Sequence, residues 1–197
     1  NVRHQTADLP CRMLSHSMNS FALWNNSGAK AAPGEVLFFL QEGVIPTATG
    51  LQRLLETLAL NEEIAAVGPF SNRTIFSWQY LNVERMEAEG ENPEDWMQEH
   101  LNAPTESLFL EHVALLVRHS AFQQVHGFNE AFTGGGADLD FSFRLKYDGF
   151  HLLRVPVYFA HRAADCCDLY DLTRSEARPR LLEDWGIDIG IPETIVQ

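Results

Sequence analysis

The stretch Phe132–Arg144, FTGGGADLDFSFR, places three consecutive glycines directly before two carboxylates. Glycines suit backbone that turns sharply or that a ligand approaches closely. Asp138 and Asp140 then open a predicted helix that ends at Gly149, a residue suited to the left-handed position after a helix. A carboxylate in the first turn lies near the positive end of the helix dipole, which favours its ionised form. The pattern predicts that Asp138 is a general base beside an open loop.

A purely structural interpretation of the same residues stays open. Aspartate is common at helix starts because its oxygens accept backbone N–H groups that have no partner within the helix. Asp140 and Arg144 also have the (i, i+4) spacing of an ordinary ion pair on a helix.

Length and composition limit the classes of function. A chain of 197 residues with 45% hydrophobic and 21% charged residues predicts one folded domain. A formal net charge of −13 argues against nucleic acid or anionic membrane as a partner, since both attract clustered basic residues. No apolar run reaches the length of a membrane span, and the N-terminus lacks a signal-peptide pattern. We therefore expect a cytoplasmic protein without a transmembrane segment; the oligomeric state is left open.

The three cysteines form no disulfide framework. Cys11 stands alone, and Cys166 is adjacent to Cys167, so the odd count fits a reducing compartment. Metal binding by His161 with this cysteine pair is an alternative, although the spacing matches no zinc signature.

Apolar runs alternate with helical patterns along most of the chain, which predicts an α/β sandwich. The predicted strands are Val36–Leu40, expected to be central, Ile64–Val67 ended by Gly68 and Pro69, Leu108–Val117, and His151–Val155 and Val157–His161 separated by Pro156. The predicted helices are Phe21–Ala32, one through Leu51, Leu54, Leu55 and Leu58 capped by Thr47 or Thr49, one opened by Asn92 and Pro93, Ser120–Val125, and the Asp138 helix. For the last helix, a start at Thr173, which has capping-box spacing to Glu176, and a start near Pro179 with an end at Gly186 are equally open.

The single domain 1–197 is expected to contain three less regular parts. These are an irregular lead-in at 1–20, a variable connection at 70–107 and a helical tail at 162–197. A connection as long as 70–107 is usually functional, so we expect part of it to cover a cleft.

The order of these segments resembles the family 2 glycosyltransferases, which are inverting, nucleotide-sugar-dependent enzymes of GT-A fold. The matching motifs are Asn26-Ser27-Gly28, Ala32-Pro33-Gly34-Glu35 before a strand, Gln41-Glu42-Gly43-Val44-Ile45-Pro46 after it, Ala66-Val67-Gly68-Pro69, Val125-His126-Gly127-Phe128-Asn129-Glu130, and Gly134, Gly135 and Gly136 before Asp138 and Asp140. The resemblance implies a three-layer α/β/α sandwich with a mixed sheet, in the manner of nucleotide-diphospho-sugar transferases.

The resemblance also implies roles for individual residues. Asp138 would take the proton from an acceptor hydroxyl on a carbohydrate, and the glycine loop with Asp140 would adjoin that acceptor. Asn26, Gln41 and Glu42 would face the nucleotide-sugar donor. Mn²⁺ or Mg²⁺ would be held by Glu42 and His161, and this site would be weak because Gln41 and Gly43 stand where the family has acidic residues.

Gln41, Gly43 and Ala137 favour a second interpretation, in which the chain is a non-catalytic module that binds carbohydrate or protein. Ala137 replaces the acidic residue that precedes the family's catalytic aspartate, and the family's nucleotide-binding first strands have no counterpart before Cys11. The fold is accordingly expected to be incomplete at its N-terminus. An unrelated nucleotide-binding protein is disfavoured because the chain has neither a Gly-x-Gly-x-x-Gly nor a Walker motif.

Overall fold

The structure, a computed structural model, describes residues 20–74, 76–132, 135–162 and 177–187. Its helices are α1 (Phe21–Ala31), α2 (Ala48–Ala59), α3 (Val83–Ala88), α4 (Pro93–His100), α5 (His119–Gln124), α6 (Ala137–Tyr147) and α7 (Ala177–Trp185). Its strands are β1 (Val36–Leu40), β2 (Val44–Ile45), β3 (Ile64–Phe70), β4 (Thr105–Glu106), β5 (Ala114–Arg118), β6 (His151–Tyr158) and β7 (Ala160–His161). None of the described helices combines the length and the apolar character that crossing a membrane requires.

The main sheet has the strand order β1-β5-β3-β6-β4 and is mixed. Strand β5 runs antiparallel to both β1 and β3, whereas β3 and β6 are parallel. A separate ribbon joins β2 to β7 and sets Val44 opposite His161. The prediction of a central Val36–Leu40 strand is wrong, because β1 lies at the edge of the described sheet. Its apolar sequence reflects layers packed on both of its faces.

Successive side chains of a strand pack into two different layers, one on each face of the sheet. Leu37 and Phe39 point into a core shared with α1, α5, α6 and α7, while Val36 and Phe38 contact the core under α2. Aromatic rings join the first layer, with the Phe128 centroid 5.1 Å from that of Phe39. The two layers and the sheet between them form the predicted three-layer sandwich.

Several helix ends follow from local chemistry that the sequence shows. The Thr47 side chain accepts a hydrogen bond from the Gly50 backbone N–H at 3.1 Å and caps α2 as predicted. Asn92 caps α4 in the same way, and Pro93 occupies its first turn. Gly149 has φ of +88°, which confirms the left-handed conformation predicted after α6.

Two prolines that were expected to end strands do not end them. β3 continues through Gly68 and Pro69 to Phe70, and β6 is one strand through Pro156. The β3–β6 register shifts after Gly68, so both prolines lie between regular partners of the ladder. A proline is tolerated at such a place because no N–H is required from it.

Candidate active site

Four chain segments meet at one edge of the sheet. Residues 41–43 follow the carboxyl end of β1, residues 71–73 follow that of β3, and β7 follows β6. Because β5 is antiparallel to β1, the segment entering β5 lies at the same edge, where Gln41 N–H donates to Val113 O at 3.1 Å. Carboxyl ends of strands are where open α/β sheets place their ligands.

The segment that enters β5 explains why the predicted Leu108–Val117 strand begins only at Ala114. Its backbone N–H groups donate to side chains instead of to a neighbouring strand. The donors and acceptors are Leu110 N to Ser142 Oγ at 3.2 Å, Glu111 N to Gln79 Oε1 at 2.8 Å, and His112 N to Asp138 Oδ2 at 3.1 Å. The start of α6 is thereby fastened to this edge of the sheet.

Asp138 lies inside this contact, with no exposed surface. Its Oδ2 accepts from the His112 backbone and from His112 Nδ1 at 3.0 Å, and its Oδ1 accepts from Leu139 N at 3.0 Å. The carboxylate of Asp138 is therefore enclosed by protein groups. His112, itself 7% exposed, contacts the carboxylate through its ring.

His161 ends β7 and faces the segment after β1. Its Nε2 lies 3.1 Å from the Glu42 carbonyl oxygen, and Asn72 Oδ1 accepts from its backbone N–H at 2.8 Å. Burial lowers the pKa of His161, and the positive charge of Arg73 lowers it further, against the raising effect of the Glu42 carbonyl. The charge of His112 is a further, smaller cause that lowers the pKa of His161. The Asp138–His112 contact and the His161–Glu42 contact both lie at this edge of the sheet.

Asp140 has a structural place two residues beyond Asp138. It is 2% exposed, and its Oδ2 accepts from Arg144 Nε at 2.8 Å, which matches the predicted ion pair. Its Oδ1 accepts from the indole of Trp185 in α7. Both oxygens are directed at protein groups, so the structure does not bring Asp140 toward an acceptor.

The family resemblance assigned Asn26 to donor binding, but in the structure its side chain binds the loop that follows α5. Its amide donates to Phe128 O at 2.8 Å and to Glu130 Oε1 at 3.0 Å, and its Oδ1 accepts from Phe128 N at 2.9 Å. These bonds span about a hundred residues of sequence and hold α1 against the segment after α5. Asn26 of the Asn26-Ser27-Gly28 motif thus has a structural explanation in this chain.

The glycine loop is only partly described, because Gly134 lies outside the described residues. Gly135 is buried, and Gly136 has φ of +94° directly before α6. A Cβ at Gly136 would lie 2.9 Å from the Ala177 Cβ of α7. At Gly136, the close approach that the glycines predicted is made by another helix.

The residues assigned to a divalent cation do not fit one. Hard cations need several oxygen ligands, and the Glu42 side chain is exposed while its backbone carbonyl contacts His161 Nε2. Within the described ranges, no group of three or more histidine, cysteine, aspartate or glutamate residues could hold a metal ion. The alternative set of His161 with Cys166 and Cys167 falls on cysteines outside those ranges.

Three surface cavities lie away from this cluster. Cavities of about 180 and 520 Å³ share Arg53, Gln98 and Pro156 between α2, α4 and β6. Another of about 280 Å³ lies between α1 and α5. Helix α4 belongs to the connection expected to cover a cleft, and here it lines the first two cavities.

Sequence reasoning missed His112 and Arg73. His112 lies two residues before β5, and the only signal was a polar Glu111-His112 pair where a strand was expected to continue. Arg73 follows β3 in the same way that Glu42 follows β1. Polar residues at the carboxyl edge could have indicated both.

Comparison with known proteins identifies the fold. No family model and no curated protein matches the sequence. The structure resembles GalNAc-T7 with UDP, GalNAc and Mn²⁺ at a TM-score of 0.55 and 14% identity, over 73% of this chain and 30% of that one. It also resembles the mannosyltransferase PcManGT from Pyrobaculum calidifontis in complex with GDP-Man and Mn²⁺ at 0.55 and 15%, over 83% and 43%.

The chain spans less than half the length of either of these two structures. At such identities the likeness shows the fold alone, and that fold is GT-A. The α/β, GT-A-like architecture predicted from the sequence is therefore confirmed.

Proposed function

We propose that this chain is a family 2 type glycosyltransferase domain, which transfers a sugar from a nucleotide-diphosphate donor to an acceptor hydroxyl with inversion. The observation that carries the proposal is the convergence of Asp138, His112, His161 and the Glu42 segment at the carboxyl edge of a GT-A sheet. Similarity of fold makes sugar transfer a reasonable expectation. The argument for the reaction itself must come from the residues of the site.

The reaction requires a base on one side of the sugar and a departing diphosphate on the other. The acceptor O–H gives its proton to the base centred on Asp138 while its oxygen bonds to the anomeric carbon. The bond from that carbon to the diphosphate breaks, and the diphosphate leaves with the electron pair. Because attack and departure occur on opposite faces, the configuration inverts.

Among the described residues, two protein cations lie at this edge: Arg73 after β3, and Arg162, whose backbone N–H donates to the Gly43 carbonyl. Arg73 is exposed in the segment after β3 and acts electrostatically on His161. A guanidinium matches phosphate geometry with two parallel N–H groups. We propose that Arg73 faces the diphosphate, since Glu42 and His161, the residues expected to hold a cation, do not fit a hard cation.

A panel of uridine, guanosine and thymidine diphosphate sugars with mixed carbohydrate acceptors tests the proposal. The unaltered chain should form a glycoside from at least one donor, and Asp138→Asn should lower the rate about 100-fold or more. Asp148→Asn is the matched control, because Asp148 is exposed at the opposite end of α6. Equal rates for Asp138→Asn and Asp148→Asn would remove Asp138 from the chemistry.

One observation favours the alternative of a non-catalytic carbohydrate- or protein-binding module. Asp138 is buried and accepts three hydrogen bonds from the protein, as a purely structural helix-start aspartate would. Saturable binding of a glycan without turnover of any donor would select this alternative.

A further inference from the structure

We propose that the groove between α2 and α4 binds a neutral oligosaccharide, which is the acceptor of the proposed sugar transfer. The role of acceptor rests on that proposed function, whereas binding in the groove can be measured without it. Two cavities of about 180 and 520 Å³ adjoin along the groove, because both are lined by Arg53, Gln98 and Pro156. The larger one alone lies in the range of about 300–1,000 Å³ that is usual for small-molecule sites.

Each wall of the groove carries a row of polar side chains spaced four residues apart. The rows are Thr49, Arg53 and Thr57 on α2, and Glu94, Gln98 and Asn102 on α4 and just after it. Residues four apart lie on the same face of a helix, so each row follows one side of the groove. A ligand that lies along the groove would meet polar groups on both sides.

Most of these polar groups are not used by the fold itself. Within the part of the chain that the structure describes, the side chains of Arg53, Gln98 and Asn102 form no hydrogen bond or ion pair, and all three are exposed. A guanidinium offers only donors, whereas each amide offers donors and an acceptor. Sugar hydroxyls also donate and accept, so a polyhydroxylated ligand can pair with this set of groups.

The floor of the groove is apolar. Val155 and Pro156 of β6 line it, together with Leu60 and Leu101 at the ends of the two helices. The C–H faces of sugar rings can bury apolar surface against such a floor while the ring hydroxyls reach the walls. A wholly apolar ligand would instead remove water from the polar rows without replacing their hydrogen bonds, which is costly.

The charges along the groove favour a neutral ligand. Among the described residues that line the two cavities, the charged ones are Arg53, Glu56 and Glu94. An anion would be repelled by two carboxylates, and a cation would be repelled by the guanidinium. The site therefore matches a neutral sugar chain better than an acidic or a basic one.

One end of the groove adjoins the candidate active site. Thr47 and Tyr158 line the smaller cavity, and each is two residues from the β2–β7 ribbon, which pairs Ile45 with Ala160. The same ribbon carries His161. An acceptor in the groove can thus place its terminal sugar at the carboxyl edge of the sheet, while its other sugars supply binding energy away from the reacting atoms.

The test uses neutral tetrasaccharides of glucose, mannose, galactose and N-acetylglucosamine, with tetragalacturonate as the acidic counterpart. In ¹H–¹⁵N spectra of the unaltered chain, at least one neutral probe should saturably shift the side-chain amide signals of Gln98 and Asn102. Gln98→Ala should weaken this binding about 3- to 10-fold, as expected for one lost hydrogen bond. Glu99→Ala is the matched control, because Glu99 is exposed next to Gln98 on α4 and lines neither cavity. Arg53→Ala, a second exposed position of the shared wall, should weaken binding as well.

Three results would overturn the groove site: no binding of any neutral probe, binding of tetragalacturonate alone, or equal effects of Gln98→Ala and Glu99→Ala. Saturable binding of a neutral probe without turnover of any donor would overturn the proposed transfer and leave the groove as a binding site. Turnover of a tetrasaccharide acceptor with a KM that neither Gln98→Ala nor Arg53→Ala changes would overturn the groove site and leave the transfer standing.

Discussion

Trp185 donates its indole N–H to Oδ1 of Asp140 across 3.0 Å, and this bond fastens α7 to α6. Arg144 approaches the other oxygen of the same carboxylate at 2.8 Å and also donates to the Val125 carbonyl. Asp140 therefore connects three segments of the first core layer. Although Asp140 lies only two residues after Asp138 in α6, its contacts are structural ones to Trp185 and Arg144.

Asp140→Ala should destabilise the protein by about 2–4 kcal/mol, because it leaves a largely buried guanidinium and an indole N–H without their acceptor. Glu89→Ala is the control: its pair with Arg85 is exposed and should contribute little to stability. Urea unfolding of the two variants measures the difference. Equal losses would show that the Asp140 contacts contribute little to the native state.

Gly127→Ala should destabilise the protein more than Gly90→Ala. Both glycines have positive φ, +70° and +76°, which costs an alanine about 1–2 kcal/mol. Only at Gly127 would the new Cβ also meet atoms, with Asn26 Oδ1 at 2.7 Å and the Phe122 ring at 3.0 Å. Thermal and urea unfolding should show the excess loss at Gly127, and identical losses would argue against the Asn26 clamp.

The lowered pKa of His161 has a consequence for stability. Because burial disfavours the charged ring in the folded state, the unfolded chain binds a proton first as pH falls. The contribution of His161 is thus present above its ordinary pKa of about 6.5 and is lost as pH falls toward the folded value. His161→Gln keeps an N–H for the Glu42 carbonyl and does not titrate, so it should lose less stability than the unaltered chain between pH 7.5 and 5.5. Parallel pH dependences in urea unfolding would contradict this.

Manganese should bind the chain weakly or not at all. Gln41 supplies no charge, Gly43 supplies no side chain, and the Nε2 of His161 contacts the Glu42 carbonyl. Calorimetric titration should show no low-micromolar binding, which would correspond to about −8 kcal/mol. Gln41→Asp adds a carboxylate beside Glu42 and should raise the affinity. Tight binding by the unaltered chain would show that other residues form a metal site.

The sequence predicted those features that depend on local chemistry. Thr47 and Asn92 cap their helices because short polar side chains reach backbone N–H groups nearby, and Gly149 takes the positive φ that few other residues adopt. The predictions that failed concern features that depend on residues distant in the sequence. No local pattern shows that His112 contacts Asp138, or that a register shift lets a strand pass Pro156.

Of the assigned site residues, the structure places Asp138, His161 and the backbone of Glu42 at one edge of the sheet, and it gives Asn26 and Asp140 structural contacts. Resemblance by motif could not separate these two groups. A residue at the candidate site and a residue with structural contacts can match the same sequence motif. Only the residues that each contacts in the folded chain differ.

The central claim, inverting sugar transfer at the edge that holds Asp138 and His112, is tested most directly by the configuration of the product. Proton NMR of a reaction between the unaltered chain, an α-linked nucleotide sugar and a carbohydrate acceptor should show a β-linked glycoside, formed far more slowly by Asp138→Asn. An α-linked product, or no product from any donor of the panel, would contradict the claim.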